Sequence, residues 1–442
     1  MAQGADSWIG RQFPFHYTDA AMTALFATVP VETDHRSIVL IFALTYFCIA
    51  MGHVPGLKLN RPGIALLGAI AMMIFGGVST ANAVSYINWP TISLLFGFFV
   101  ISAQLRLSGF YDKVAGAIAA RLDHPGGFLL VLMVTTGGLS AFLNHDIVCF
   151  VFTPIVGVAL VRQRINPVPF LIALTIASNI GAGATLIGNP QNMMIGQLAD
   201  LNFGSYLLWS LAPVIFAMGA AYGIIWWLSQ KNLRAAPATP DAVAQQVYPF
   251  NKFHTVKGIA ILAVAIGLFF TSLPKEIIAL AAAGIHLASP KFRTDDLLGL
   301  VDWPILVLFM GLFVVAGAFQ STGCGDDVVR WLAGSGFNLN APGNLELTTA
   351  VLSNLIGNSA AVILLLKIIH FGQPTPYVLA LANSFGGSLL IVGSVSNIIV
   401  VQQARRMGIR ISFWDYARLG IPVTAVILGG LFAWVLVAGF VK

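Results

Sequence analysis

Apolar residues run along this chain in stretches of about 20, the length that carries an α-helix through the ~30 Å hydrocarbon core of a bilayer. The pattern predicts spans near residues 36–53, 61–78, 90–107, 166–200, 206–229, 254–272, 276–290, 303–320, 376–403 and 418–440. Two further apolar stretches, 127–161 and 345–370, are interrupted halfway by Asn144-His145-Asp146 and by Gly357-Asn358-Ser359. Backbone that leaves the helix at membrane depth has to be satisfied by protein or by a water-filled cavity. Each stretch therefore reads as a re-entrant hairpin, with the two tips lining one cavity; the plainer alternative makes each stretch two short spans.

Composition agrees with lipid as the solvent. Of 442 residues, 57% are hydrophobic and only 9% charged, and the mean hydropathy is +0.85. A soluble domain carries about 25% charged residues. Cys48, Cys149 and Cys324 are too far apart for a metal-ligand cluster or a disulfide framework. The net charge of +6 is not gathered into a basic tract, so it speaks for membrane topology and against a nucleic-acid partner. With re-entrant hairpins, 17 of the 23 Lys and Arg, among them Lys113, Arg164, Arg234 and Arg410, fall on one face. The positive-inside rule makes that face cytoplasmic and places both termini outside an inner (plasma) membrane. The first 35 residues show no cleavable signal peptide. The polar, proline-containing stretch around 231–252 reads as a linker. The expected organisation is an extracytoplasmic segment 1–35, a first repeat 36–229, a cytoplasmic linker 230–253 and a second repeat 254–442.

The halves share a pattern. Trp89/Trp303, Pro90/Pro304, Gly97/Gly311 and Gly109/Gly323 are each 214 positions apart. LSAFLNHDIVCF (139–150) recurs as LSNLIGNSAAVI (352–363), and SNIGAGATLIGNPQN (178–192) as NSFGGSLLIVGSVSN (383–397). Five crossings per half is an odd number, so the second copy must insert upside down, as in secondary transporters built from inverted repeats. The expected fold is an all-α polytopic membrane protein of two such repeats, each with five spans and one hairpin.

Breaks at corresponding places in the two halves mark a binding site near the midplane. In the first copy Gly181-Ala182-Gly183 and Gly188-Asn189-Pro190-Gln191-Asn192 interrupt a span, and a half-helix restarting near Met193 presents its N–H groups to the gap. The second copy offers Gly386, Gly387, Ser388, Gly393, Ser394, Ser396 and Asn397. Gly97 and Gly311 read as close packing. Asp146 is the one of 17 acidic residues placed deep in an apolar stretch; it and His145 are the candidate proton carriers, with a purely structural pair as the alternative. His286 reads as a hydrogen-bonded structural residue, Lys367 as a snorkelling one, and Cys149 as an apolar filler. No Arg or Lys is expected at either tip or break, which favours a neutral or weakly charged polar solute, or a cation.

These motifs, SNIGAGATLIGNPQN with its copy and the hairpins FLNHDIVCFVFTP and NLIGNSAAVILLL, resemble the ion transporter superfamily. It includes arsenical pump membrane proteins, citrate and dicarboxylate transporters, and sodium/proton antiporters. The resemblance covers about residues 36–440. It implies a moving transport domain held against a scaffold in an elevator-type homodimer. It also implies a site lined by Asn144, His145, Asp146, Gly188, Asn189 and Asn192 from one half, and Asn358, Ser359, Gly393, Ser394 and Asn397 from the other. Dicarboxylate members carry Ser-Asn-Thr at both tips; Gly357-Asn358-Ser359 is close to this, whereas Asn144-His145-Asp146 departs toward the arsenical pump side.

The expectation is a secondary carrier, not an enzyme and without a cofactor, that moves a small inorganic oxyanion or its neutral acid. Arsenite or antimonite efflux coupled to protons is the sharpest version. Sodium/proton antiport and uptake of citrate, dicarboxylate or sulfate are the alternatives, and an ATPase partner is left open. A membrane hydrolase using His145 and Asp146 would lack a neighbouring nucleophile.

Overall fold

The computed structural model describes residues 35–52, 57–120, 124–230, 248–289, 291–369, 371–372 and 374–438. The expected N-terminal segment and most of the linker lie outside the described residues. Among the described residues the α-helices fall into two sets of ten. The first comprises α1 (His35–Met51), α2 (Arg61–Ile74), α3 (Thr80–Tyr86), α4 (Trp89–Leu107), α5 (Phe110–Ala119), α6 (Pro125–Phe142), α7 (His145–Arg162), α8 (Val168–Ala182), α9 (Pro190–Leu198) and α10 (Phe203–Ser229). The second comprises α11 (Lys252–Leu268), α12 (Lys275–Leu287), α13 (Thr294–Leu298), α14 (Trp303–Ser321), α15 (Cys324–Gly334), α16 (Pro342–Ile356), α17 (Asn358–Ile368), α18 (Thr375–Gly386), α19 (Val395–Arg406) and α20 (Phe413–Val437). Each helix of the first set has its counterpart ten places on.

Among the described residues α4, α6, α7, α10, α14 and α20 are long and apolar enough to cross a bilayer. Shorter apolar helices such as α1, α2, α8 and α17 join them. The chain is a multi-span helical membrane protein, and its outer helices bare apolar side chains, with Leu208 76% and Val437 80% exposed. The short helices α3, α5, α13 and α15 were not legible as apolar runs, because they connect spans without crossing. Both arms of the first interrupted stretch reach 18 residues, so length alone does not separate a hairpin from two spans there.

The repeated motifs act locally. Asn88 and Asp302 cap α4 and α14, accepting from Thr91 N (2.9 Å) and Ile305 N (3.2 Å), and Pro90 and Pro304 occupy the first turn, where no intrahelical N–H is needed. Trp89 and Trp303 follow the caps at 48% and 47% exposure, as aromatic anchors at a membrane interface do. Gly109 and Gly323 follow the far ends of α4 and α14 with φ of 71° and 75°, a conformation that penalises any Cβ.

Packing between the halves is swapped. A Cβ on Gly97 of α4 would lie 2.7 Å from Ala279 of α12, and one on Gly311 of α14 would lie 2.7 Å from Ala65 of α2. Ala65 and Ala279 are themselves counterparts 214 positions apart. Exchange of partners in this way is the mark of a two-fold relation. For halves with an odd number of crossings, it is the inverted repeat of secondary transporters.

Candidate functional site

The site begins at four chain breaks. In the first hairpin α6 ends at Phe142, Leu143 is extended, and Asn144 caps α7 by accepting from Asp146 N (2.8 Å) and Ile147 N (3.4 Å). In the second, Gly357 alone separates α16 from α17, with φ of 86° and ψ of 152°. The first broken span stops at Ala182 and restarts at Pro190, three residues before the expected Met193. Asn189 makes the earlier start possible by accepting from Asn192 N (2.7 Å) ahead of a first-turn proline. The second stops at Gly386, passes through a 3-10 turn at Ile391–Gly393, and restarts at Val395.

Side-chain amides staple both breaks. Asn192 Nδ2 donates to the carbonyls of Ala182 (3.3 Å) and Thr185 (3.0 Å), and to Tyr206 Oη (3.2 Å). Asn397 Nδ2 donates to the carbonyls of Gly387 (2.7 Å) and Leu390 (2.9 Å), while its Oδ1 accepts from Thr175 Oγ1 (2.5 Å) and Asn179 Nδ2 (3.0 Å). These bonds satisfy carbonyls that helix termination leaves open in an apolar surrounding.

Further bonds tie one half to the other in counterpart pairs. Asn189 Nδ2 donates to Ser384 Oγ (3.0 Å), and Ser394 Oγ donates to Asn179 Oδ1 (3.1 Å). Ser396 Oγ donates to Asp146 Oδ1 (2.6 Å), and Gln191 Nε2 donates to Ser359 Oγ (2.7 Å). The hairpin tip of each half is thus held by the restarting helix of the other.

Where the four breaks meet lies a small cavity with about 40 Å3 of free space. His145, Asp146, Asn358, Ser359 and Ser394 line it, together with Pro190, Gln191, Gly357 and Arg61. His145 Nε2 stands 3.6 Å from Asp146 Oδ1, both residues are 5% exposed, and His145 Nδ1 and Asn358 Oδ1 are buried without a hydrogen-bond partner among the described residues. The starts of α7, α9, α17 and α19 converge here, so four positive dipole ends face a common space. Such a space suits an oxygen-rich solute.

The other predicted residues stand behind the lining. Asn144 and Asn189 are caps, and Asn192 and Asn397 are staples. Gly188 packs on the backbone of Ala182, and Gly393 packs on the Asn354 side chain.

Three expectations need correction. A cation does stand at a tip: Arg61, the first residue of α2, sets its guanidinium against Gly357, where a Cβ would lie 3.0 Å from Nη1. Its chain position at the start of a span concealed this, although its counterpart in the second half, Lys275, is also basic. Asp146 is not the sole buried carboxylate: Glu346, near the start of α16, is 5% exposed, and among the described residues its Oε2 has no partner. His286 is 1% exposed, yet among the described residues neither ring nitrogen has a hydrogen-bond partner.

Comparison with known proteins bears on this arrangement. The family model described as Citrate transporter matches residues 39–374. An uncharacterized transporter of Mycobacterium tuberculosis is 30% identical over 430 residues, covering 89% of this chain and 98% of its own. The silicon efflux transporter LSI3 of Oryza sativa subsp. japonica is 26% identical, covering 87% and 94%. Among solved structures the Alcanivorax borkumensis YdaH transporter superposes with a TM-score of 0.56 at 16% identity, over 95% of this chain and 98% of that one. Neisseria gonorrhoeae MtrF gives 0.56 at 12% identity, over 95% and 97%. At these identities the two structures speak for the fold alone.

Proposed function

The chain belongs to the citrate transporter family of membrane transporters, and on that premise we propose that it is a secondary active carrier of a small oxygen-rich acid, with proton-coupled export of arsenite or antimonite as the first candidate. The observation that carries the reading is the cavity where both tips and both helix restarts meet. It is small, it lies at four helix starts beside the Asn358, Ser359 and Ser394 side chains, and it holds one carboxylate and one guanidinium. With Asp146 ionised these two charges balance, which suits a neutral hydroxylated acid better than a multiply charged one. The rice relative's name, silicon efflux transporter, supports a metalloid cargo, because silicon and trivalent arsenic both dissolve at neutral pH as uncharged hydroxy acids.

Asp146 and His145 are the proton-handling pair of this proposal. Ser396 Oγ, on the restarting helix of the other half, donates to Asp146. Protonation of that carboxyl weakens a charge-assisted bond between the halves and changes the charge of the cavity in one step. An elevator-type homodimer and an inner-membrane orientation with both termini outside belong to the same proposal.

Arg61 favours a second reading, carriage of citrate, a dicarboxylate or sulfate as an anion, because a guanidinium in the cavity matches carboxylate and oxyanion geometry. Proteoliposomes holding the purified chain, assayed for arsenite, silicic acid, citrate and sulfate flux with and without a pH gradient, separate the readings. Gradient-dependent arsenite or silicic acid movement supports the first, and anion movement alone supports the second. No flux of any of the four overturns the proposal.

A further inference from the structure

Arg61 belongs to none of the elements whose breaks build the cavity. It opens α2, a helix that packs against α14, and Asn60 fixes the helix start by accepting from Gly63 N (3.1 Å). From there the side chain crosses to the apex of the second hairpin. Gly357 leaves it room twice over. The residue adopts a φ of 86° that disfavours a side chain, and any Cβ there would sit 3.0 Å from Nη1 and 3.4 Å from Cζ of Arg61. The guanidinium lines the cavity with His145, Asp146, Asn358 and Ser359.

Among the described residues Arg61 has neither an ion-pair nor a hydrogen-bond partner. A guanidinium carries five N–H donors and no acceptor, and Arg61 is half-buried at the cavity, so its donors stay open to water until a solute enters. The carboxylate that shares the cavity, Asp146, is engaged by Ser396 and stands beside His145. A solute that displaces that water has to offer acceptors in its place. Its planar fork fits two oxygens of one acid group, and the positive ends of α7 and α17 add to the same field.

We propose that Arg61 is a substrate-contacting, specificity-determining residue, whose guanidinium donates to a negatively charged oxygen of the solute at the tip of the second hairpin. It rests on the carrier reading above and favours the second form of that reading over the first: the bound form of the cargo is an oxyanion, carboxylate or inorganic. A neutral hydroxy acid then enters as a conjugate base or competes poorly.

Purified full-length wild type, Arg61→Lys and Arg61→Gln are compared by ligand-induced thermal stabilisation in detergent, using citrate, sulfate and silicic acid as probes at neutral pH. At least one of citrate and sulfate stabilises the wild type saturably. Which of them does so distinguishes carboxylate from inorganic recognition. Removing one charge-assisted partner raises the half-saturating concentration about 10- to 100-fold in Arg61→Gln. Arg61→Lys, which keeps the charge and loses the fork, shows a smaller rise, roughly 3- to 10-fold. Should Arg61→Gln fail to fold, the Arg61→Lys shift decides. An unchanged half-saturation in the folded variants overturns the inference, as does stabilisation of the wild type by silicic acid alone. The latter result would leave the carrier reading standing, whereas absence of all oxyacid flux in proteoliposomes would remove that reading itself.

Discussion

Asn192 and Asn397 hold counterpart positions in the two halves, and each spans its helix break with the same pair of bonds, from Nδ2 to the carbonyls ten and seven residues earlier. A helix interrupted in an apolar surrounding leaves carbonyls that lipid cannot satisfy. One primary amide supplies both missing donors. The difference lies in the other end of the amide: Asn397 Oδ1 accepts from Thr175 and Asn179 across the repeat interface, whereas Asn192 Oδ1 is buried with no partner among the described residues.

Loss of either staple is therefore expected to destabilise the fold. Asn192→Ala and Asn397→Ala should each cost about 2–4 kcal/mol, since two buried carbonyls lose their donors. Asn397→Ala should cost more, because two donors of α8 are orphaned as well. Thermal melting in detergent checks both the size and the order; equal melting of Asn192→Ala, Asn397→Ala and wild type would contradict the staple.

Asp146→Asn should fold, because the amide oxygen can still accept from Ser396. It cannot release a proton, so gradient-driven flux should vanish while solute exchange at equal concentration persists. Normal proton-driven flux in this variant would assign Asp146 to structure.

The contact between Asp146 and Ser396 should be measurable as a coupling energy. A double-mutant cycle of Asp146→Ala and Ser396→Ala is expected to give about 1.5–3 kcal/mol, as for a hydrogen bond to a charged group. The neutral Gln191–Ser359 counterpart should give about half that. Coupling within error of zero at both sites would mean that the tips are not held by the opposite half.

Close packing between the repeats predicts matching sensitivity at Gly97 and Gly311. A valine at either position drives its side chain into Ala279 or Ala65 backbone at contacts already as short as 2.7 Å. Each substitution should cost at least ~1–3 kcal/mol, the usual range for overpacking. A valine at Gly116, which has nothing within 4 Å of a Cβ, should act only through helix propensity. Expression and melting of the three variants provide the comparison.

Inverted topology predicts opposite accessibility for equivalent short helices. A cysteine introduced next to Lys113 in α5 should react only with reagent on the cytoplasmic side, and one next to Arg330 in α15 only with reagent outside. Labelling of both from the same side would contradict the inverted arrangement.

What the sequence determined alone is what depends on neighbours along the chain. Trp-Pro after Asn88 or Asp302 specifies a helix start, Gly109 and Gly323 specify a left-handed turn, and Asn189-Pro190 specifies a restart. Each is a cap or a dihedral constraint acting within four residues, so it survives in the letters, and the Trp-Pro starts and left-handed glycines reappear 214 positions later. The duplication and the location of the breaks were legible for that reason. The lining of the cavity was decided by tertiary structure. Ser396 reaches Asp146 across 250 residues and Gln191 reaches Ser359 across 168. Arg61 meets Gly357 only because α2 of the first half packs on α14 of the second. Neither a hydrophobic period nor a short motif encodes such meetings, because they depend on how two inverted halves interlock. The same interlocking turned Asn192 and Asn397 from apparent ligands into supports. Their amides face carbonyls that an extended reading of the chain leaves several residues away, and that the folded break brings to within 3.3 Å.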